Sequence, residues 1–402
     1  MQRNFLIITV IFLALEFYVY QAFRNLMPRN TYRYIYIGFT VLLYGTMFYL
    51  ATGFSRSDRD QVKIHILISL FLVLILPKIL IIFFLLLDDI IRIFQWGISL
   101  LNKDASHHYP SRRKALSILG VGGFAVFSAI FLDGIIFGKY RHRARKVKLK
   151  IAGLPEAFKG YRIVQISDAH CGSFANPEKL SGAFDLINEQ KPDLVVFTGD
   201  MVNNFAEEFE PFLPLFSKIS APDGKFSVLG NHDYGHYANW HSEEAAKQNV
   251  PRLIALKKEA GFEVLRNEHR RITRGNSSIF LLGVENWGVK PFPQYGDLDK
   301  AANGVPADSV KILMSHDPSH FDAVVKNHSS NVQLTLSGHT HGMQFGIDLK
   351  NYRWSPVKYR YQKWADLYES AGKFLYVNRG FGVLAYPGRV GIKPEITVIE
   401  LS

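Results

Sequence analysis

The chain changes texture about a third of the way along. Four apolar stretches fill its beginning: 5–23 with Glu16 as its one charge, 34–54 with none, 64–87 broken by Pro77-Lys78, and 115–138 with only Asp133. Each exceeds the ~18 apolar residues that suggest a membrane helix, and ~20 helical residues cross a ~30 Å hydrocarbon core. Tyr18, Tyr20, Tyr32, Tyr34 and Trp96 lie near the ends, as interfacial belts require. Three further apolar segments after the first, with no small-residue cleavage site, argue against a removable signal peptide. The pattern predicts about four transmembrane helices over 1–138. Glu16, Lys78 and Asp133 read as snorkelling or mutually paired charges rather than as a transport path.

From about Val147 onward, short β-rich runs alternate with helical and turn segments. Runs 162–167, 194–198, 226–229, 279–283, 310–314, 332–336, 374–377 and 396–399 read as strands. Asn176-Pro177 opens a helix carrying the Leu180, Ala183, Phe184, Ile187 stripe. Residues 251–260, closing on Gly261, and Asp317-Pro318, opening onto Phe321 and Val325, suggest two more. Such alternation predicts an α/β domain over 151–402.

Charge changes the picture only once it is divided. The net +12 splits into +6 over 1–138, +7 over 139–150 and −1 over 151–402. The large domain is neutral, so nucleic acid is not an expected partner; the membrane is. Residues 139–150, with seven basic and no acidic side chains, read as a basic linker leaving the bilayer. Counting Lys and Arg on the two sides gives 11 against 8, favouring a cytoplasmic domain. Ser111-Arg112-Arg113 before an apolar run argues the other way, since it resembles a twin-arginine export signal. The single cysteine, Cys171, excludes an intramolecular disulfide and a multi-thiolate site.

The chemistry sits at the strand ends. Strand 162–167 delivers Asp168-Ala169-His170, strand 194–198 delivers Gly199-Asp200, and strand 226–229 delivers Gly230-Asn231-His232-Asp233. Strand 310–314 ends in Ser315-His316-Asp317, and strand 332–336 in Gly338-His339-Thr340-His341. Open α/β sheets bind ligands past the carboxyl ends of their strands. Imidazole and carboxylate without thiolate suit Mn²⁺, Fe or Zn²⁺. Asp168, His170, Asp200, Asn231, His232, His316, His339 and His341 are too many for one tetrahedral site but fit two ions. Two ions ~3.5–4 Å apart can clamp the attacking and leaving oxygens of a phosphoryl displacement.

These five blocks, in this order, resemble the signature of the calcineurin-like metallophosphoesterases; the attached spans resemble the family's membrane-associated bacterial YkuE-like branch. The resemblance implies a domain of two packed mixed β-sheets flanked by helices, α/β/β/α, behind the N-terminal transmembrane helices. It implies that Asp168, His170 and His341 bind one divalent metal ion and that Asn231, His316 and His339 bind a second, with Asp200 bridging. His232 would act as general acid or as a donor to the phosphoryl oxygen. Asp233 could orient His232, although adjacent residues on extended chain often face apart.

The expected function is metal-dependent hydrolysis of a phosphate ester or pyrophosphate at a bacterial inner membrane by a multi-pass protein. Tethering favours a lipid-linked phosphorylated substrate, with UDP-2,3-diacylglucosamine one candidate from the resemblance. The alternatives are a non-catalytic phospholipid-binding scaffold and a general phosphatase merely retained at the membrane. Outside the signature, Arg379 could bring a cation to phosphate but reads first as a structural loop arginine. His236, His241, Trp287 and Phe292 are weaker candidates for the cleft wall, and Cys171 reads as a small buried hydrophobe.

Overall fold

The computed structural model describes residues 2–27, 29–52, 62–102 and 110–402, with backbone alone for 2–9, 101 and 102. They divide into two compact units, one drawn from Met1–Phe54 and Val62–Asp133, the other built on Gly134–Ser402. The 54–63 loop used in the orientation count lies outside the described residues except for 62 and 63, as does Lys103.

Each expected apolar stretch is helical: Gln2–Leu26, Asn30–Thr52, Val62–Leu70 leading into Lys78–Asn102, and Pro110–Ile136. Among the described residues, Asn30–Thr52, Val62–Leu100 and Pro110–Tyr140 are long and apolar enough to cross a membrane. Pro77 interrupts the third stretch only locally. Proline has no N–H to donate to the carbonyl four residues back. A wide helical turn at Phe71–Ile75 absorbs the misfit, and the Ser128 hydroxyl donates to the Val73 carbonyl at 2.7 Å. Helices pack closely at Gly120, where a Cβ would stand 2.9 Å from Ile81 Cα.

Among the described residues, the buried charges of this unit are paired. Glu16 is buried against Lys78 and also accepts from the Tyr36 and Tyr44 hydroxyls at 2.9 and 2.7 Å. Asp88 is buried and accepts from Arg112 Nε at 2.8 Å and Arg113 Nη1 at 3.1 Å. Arg113 also reaches Asp89 at 2.5 Å. The arginine pair that resembles an export signal is thus held by two aspartates of the preceding helix.

The second unit is built on strands β1 (Arg143–Leu149), β2 (Arg162–Ile166), β3 (Leu194–Phe197), β4 (Lys225–Ser227), β5 (Phe262–Val264), β6 (Glu268–Arg274) and β7 (Ser277–Gly283). They are followed by β8 (Lys311–Met314), β9 (Leu334–Ser337), β10 (Ile347–Asp348), β11 (Arg353–Trp354), β12 (Asp366–Ser370), β13 (Lys373–Val377) and β14 (Glu395–Leu401). One six-stranded sheet has the order β1-β14-β2-β3-β4-β5, and the other β12-β13-β9-β8-β7-β6. Strands β2, β3, β4 and β5 are parallel, as are β13, β9, β8 and β7. Strands β10 and β11 form a separate short ribbon.

Period-two burial sorts the side chains into three layers. Ile163, Leu194 and Val196 of the first sheet meet Leu281, Ile312 and Leu336 of the second in a central core. Val164, Val195 and Phe197 turn outward onto Phe184, Ile187, Leu253 and Leu256 of the covering helices. Phe280, Leu282 and Leu313 pack outward onto Phe321 and Val325. The result is the α/β/β/α sandwich that the resemblance implies.

Two local expectations change. The segment 139–150 is no free linker: Arg143–Leu149 is the edge strand β1, paired residue for residue with β14. Val147 and Leu149 join the central core, while Arg145 turns onto Asp348, Asp366 and Glu395. Basic residues on the outer positions are what an edge strand uses against further pairing, and they hide the β pattern. The helix expected over 251–260 runs over Glu243–Glu259, because the Ser242 hydroxyl caps it by accepting from Ala245 N. Pro251 is carried inside.

Candidate metal centre

Strands β2, β3 and β4 are consecutive parallel neighbours in one sheet, and β8 and β9 in the other. Their carboxyl ends open onto a common rim. Two hydrogen bonds tie the sheets there: Gln165 Nε2 donates to Ser337 O at 2.8 Å, and His339 N donates to the Asp168 carboxylate at 3.0 Å. Asp168, His170, Asp200, His339 and His341 all have left-handed backbone, with φ from 44 to 71°. Such conformations cost about 1–3 kcal/mol each for non-glycine residues and gather at functional sites. Gly338 is required by close approach, since a Cβ would lie 2.0 Å from Ser167 Oγ and 2.2 Å from Asp168 Oδ2.

The loops bring together two groups able to hold a metal ion. In the first, ligand atoms of Asp168, His170 and His341 lie within 4.8 Å of one another; in the second, those of Asp200, His316 and His339 do. Asp200 reaches across, with Oδ2 3.1 Å from His316 Nε2 and 3.6 Å from His170 Nε2. Asn231 joins the second group, its Oδ1 2.9 Å from His339 Nδ1. His232 stands beside both: its N–H donates to Asp200 Oδ1 at 2.8 Å, and its ring lies edge-on to His170 at 5.0 Å. All eight candidates from the sequence therefore converge.

The far nitrogens decide which atoms are left for a ligand. His170 Nδ1 meets Asn203 Oδ1 at 3.0 Å and His316 Nδ1 meets Thr198 O at 2.7 Å. Both partners only accept, so each imidazole donates through Nδ1. His170, kept neutral by burial, is left with Nε2 bare, while Nε2 of His316 faces Asp200 and holds a second proton there until metal replaces it. His339 is turned the other way, with Nε2 2.8 Å from Tyr361 Oη and Nδ1 facing Asn231 and His316. The buried Nε2 atoms of His170 and His341 have no hydrogen-bond partner among the described residues. For His170, whose Nδ1 carries the proton, a bare Nε2 facing Asp200 Oδ2 at 3.6 Å across a dry gap is repulsive unless a cation stands between. The donor set therefore fits divalent metal, which the family also implies.

Electrostatics agree. Burial pushes His170 well below the ordinary imidazole range, and His339 downward too, keeping both neutral as ligands must be. Burial alone would raise Asp168 and Asp200, but the neighbouring imidazoles of His341 and His316 respectively hold them below the usual carboxylate range. His316 is raised to about 10 despite its burial, because Asp200 lies against it.

Other expectations sort cleanly. Asp233 does not orient His232: its carboxylate accepts from the backbone N–H groups of Asp200, Met201 and Gly230 at 2.7–3.2 Å and from Lys257 Nζ at 3.1 Å. Adjacent side chains do face apart, and Asp233 shapes the Asp200 loop instead. His232 Nδ1 is held by Asn203 O at 2.7 Å. Arg379 is fully buried among Asp348, Asp366 and Glu395, which makes it structural. Phe292 packs edge-on to His339 at 4.7 Å, and Trp287 stacks on His320. His236 is exposed beside Tyr234 and Tyr295, and His241 is exposed. Cys171 is buried outside both groups.

Sequence reasoning missed Asn203, Tyr361 and Arg389. Asn203 carries a faint signal, three residues past Asp200 in the same loop. Tyr361 and Arg389 carry none. Arg389 is buried and donates to the carbonyls of Arg379 and Gly380 at 2.8 and 3.1 Å, clamping the loop behind His341. Glu208 fixes the Asn203 loop by accepting its backbone N–H at 2.6 Å, while burial pushes the carboxyl up to about 7.

Comparison with known proteins leads the same way. The family model described as calcineurin-like phosphoesterase matches residues 161–343, and one described as a probable calcineurin-like phosphoesterase transmembrane domain matches residues 2–139. The chain is 33% identical over 257 residues to the uncharacterized metallophosphoesterase YkuE of Bacillus subtilis, covering 63% of this chain and 83% of that one. It is 27% identical over 277 residues to an uncharacterized metallophosphoesterase of Aquifex aeolicus, covering 67% and 97%. A zebrafish (Danio rerio) transmembrane protein with metallophosphoesterase domain is 26% identical over 299 residues, covering 72% and 63%. The chain belongs to the calcineurin-like metallophosphoesterases: it is a membrane protein whose second unit is a metal-dependent phosphoester hydrolase.

Proposed function

We propose that the protein is a multi-pass enzyme of a bacterial cell membrane that uses a dinuclear centre to hydrolyse the phosphate ester or pyrophosphate of an amphiphilic, lipid-linked substrate. The observation carrying the dinuclear reading is the reach of Asp200 Oδ2 to both His170 and His316. Asp168, His170 and His341 would hold one ion, Asn231, His316 and His339 the other, and Asp200 both. Bound there, two divalent ions such as Mn²⁺, Fe or Zn²⁺ supply Lewis acidity to the phosphoryl group and to water.

The chain's own residues do the rest. Asn203 and Thr198 O orient the imidazoles of His170 and His316, so no reorganisation is needed when a ligand arrives. His232, half-buried and held through Nδ1–H by Asn203 O, keeps Nε2 for the substrate; as the imidazolium it would give its Nε2 proton to the leaving oxygen and become neutral imidazole. Phe292, Tyr361 and Tyr237 give this polar centre an aromatic wall; Tyr237 packs on His232 at 4.6 Å. Such a wall, in a membrane protein, favours a substrate with an apolar portion.

The test uses the full chain in mixed micelles with Mn²⁺. It should turn over lipid phosphates or pyrophosphates at lower KM than their water-soluble headgroup analogues. Equal or better turnover of the soluble analogues at equal concentration overturns the lipid assignment and leaves a general phosphatase.

A further inference from the structure

Past His341 the chain leaves the sandwich as the β10–β11 ribbon, pairing Ile347 with Trp354 and Asp348 with Arg353. Its turn is closed by Leu349 N donating to Tyr352 O at 3.0 Å. Leu349 and Tyr352 are 63% and 57% exposed at this tip, and Tyr359, at the tip of the short helix Pro356–Tyr359, is 78% exposed. Exposed apolar side chains gathered on one short stretch of chain call for a partner.

The charge around them has one sign. Residues 349–364 contain Lys350, Arg353, Lys358, Arg360 and Lys363 and no acidic residue. Arg353 and Lys363 are engaged by Asp366 and Asp322. Among the described residues, Lys350, Lys358 and Arg360 form no ion pair, and all three are exposed. The two tips are not floppy. Ser355 Oγ donates to Gly342 O at 2.7 Å, and Val357, Trp364, Ala365 and Ile392 form a core beneath them.

We propose that these two tips dock on an anionic lipid surface, Leu349, Tyr352 and Tyr359 entering the headgroup layer while Lys350, Lys358 and Arg360 meet lipid phosphates. Apolar side chains with cations at their flanks are the chemistry of interfacial binding. Leu349 offers neither hydrogen bonds nor a stacking face, so nucleic acid fits the same cations less well. Docking here matters to the site because Tyr361, next to Arg360, contacts His339 directly. The docked surface would bring lipid headgroups to the mouth of the metal centre. This goes beyond the substrate assignment and does not require the substrate to be a lipid.

The test exploits the single cysteine, which is buried. In the full-length Tyr359→Cys protein, an environment-sensitive fluorophore attaches at position 359, and Gln248→Cys gives an exposed control on another helix. Each is reconstituted in nanodiscs of phosphatidylcholine with and without phosphatidylglycerol. The emission at 359 should shift to the blue only with phosphatidylglycerol. The shift should vanish in 1 M salt, where the screening length falls to ~3 Å, and in the Lys350→Gln/Lys358→Gln/Arg360→Gln background. Emission at 359 indifferent to phosphatidylglycerol, a shift of equal size at 248, or a shift that survives the triple substitution would each overturn the proposal. So would a response to an oligonucleotide with none to lipid. Because no substrate is present, these outcomes are independent of the turnover comparison that tests the substrate class.

Discussion

The buried charges of the helical unit and the rim of the sandwich treat polarity in opposite ways. In the helical unit, Glu16 is matched by Lys78 and two tyrosines, and Asp88 by Arg112 and Arg113. Every one of those contacts closes on another side chain. At the rim of the second unit, His170 keeps a buried Nε2 with no hydrogen-bond partner among the described residues, on a loop whose backbone is strained. A buried polar atom without a partner is costly, so natural folds keep one only where something else completes it. Closed pairing marks the helical unit's charges as structural. Open valence marks the rim of the sandwich as the place that receives a ligand.

The largest expected effect comes from removing the carboxylate that joins the two groups. Asp200→Ala should abolish turnover and lower bound metal, measured by elemental analysis, since two cations would face each other with less screening. Full activity with two metals retained would sink the bridging role. Metal binding should also depend on pH in a set direction. Without metal, Asp200 holds the proton on His316 up to about pH 10. Metal must displace that proton, so apparent affinity should rise as pH rises toward 10 and fall as pH drops. Isothermal titration in buffers of different ionisation enthalpy reads the released proton.

His232→Ala should come next, keeping both metals but losing roughly 10²–10⁴-fold in rate. The loss should shrink for nitrophenyl esters, whose leaving groups need no protonation. An equal loss for good and poor leaving groups would demote His232 to substrate binding.

In the helical unit the same logic predicts a stability effect with no catalytic counterpart. Glu16→Ala strands Lys78 and should destabilise by about 3–5 kcal/mol, whereas Glu16→Leu with Lys78→Met should recover most of it. Thermal unfolding in detergent measures both, and turnover per bound metal should not change. If the double variant lost turnover while keeping its stability, the paired-charge reading of this unit would fail, and the contrast between the units with it.

Most of the architecture was legible because it rests on local periodicity. All eight expected strands form, within a few residues of their expected ends, since alternating apolar positions serve two different cores. Of the strands not expected, β1 and β6 are edges dominated by charged residues, where burial is one-sided and the alternation weak. The convergence of the eight candidates was legible because each follows a strand and carries its chemistry in its own type. Asn203, Tyr361 and Arg389 were not, since each acts on a residue reached only through tertiary folding. Asp233 shows the limit within a motif: its neighbours in sequence are not its partners in space.

The smallest effects should separate a sole supporting partner from a shared one. His170 Nδ1 has one side-chain acceptor, Asn203 Oδ1, so Asn203→Ala leaves that proton unheld and the ring free to turn. Outer partners of this kind typically contribute 10–100-fold in metal affinity, and Asn203→Ala should fall in that range. His339 Nε2 has two acceptors in reach, Tyr361 Oη at 2.8 Å and Asp317 Oδ2 at 3.4 Å. Tyr361→Phe removes the first, but a small rotation brings the second into hydrogen-bond range. Tyr361→Phe should therefore cost less than about 10-fold, below the range for a sole outer partner. Competition with a metal-sensitive dye measures both variants on one scale. If Tyr361→Phe weakened metal as much as Asn203→Ala, Asp317 would not be a substitute acceptor. The tyrosine would then be the group that sets the His339 tautomer, and the second metal group would be as dependent on one outer hydrogen bond as the first.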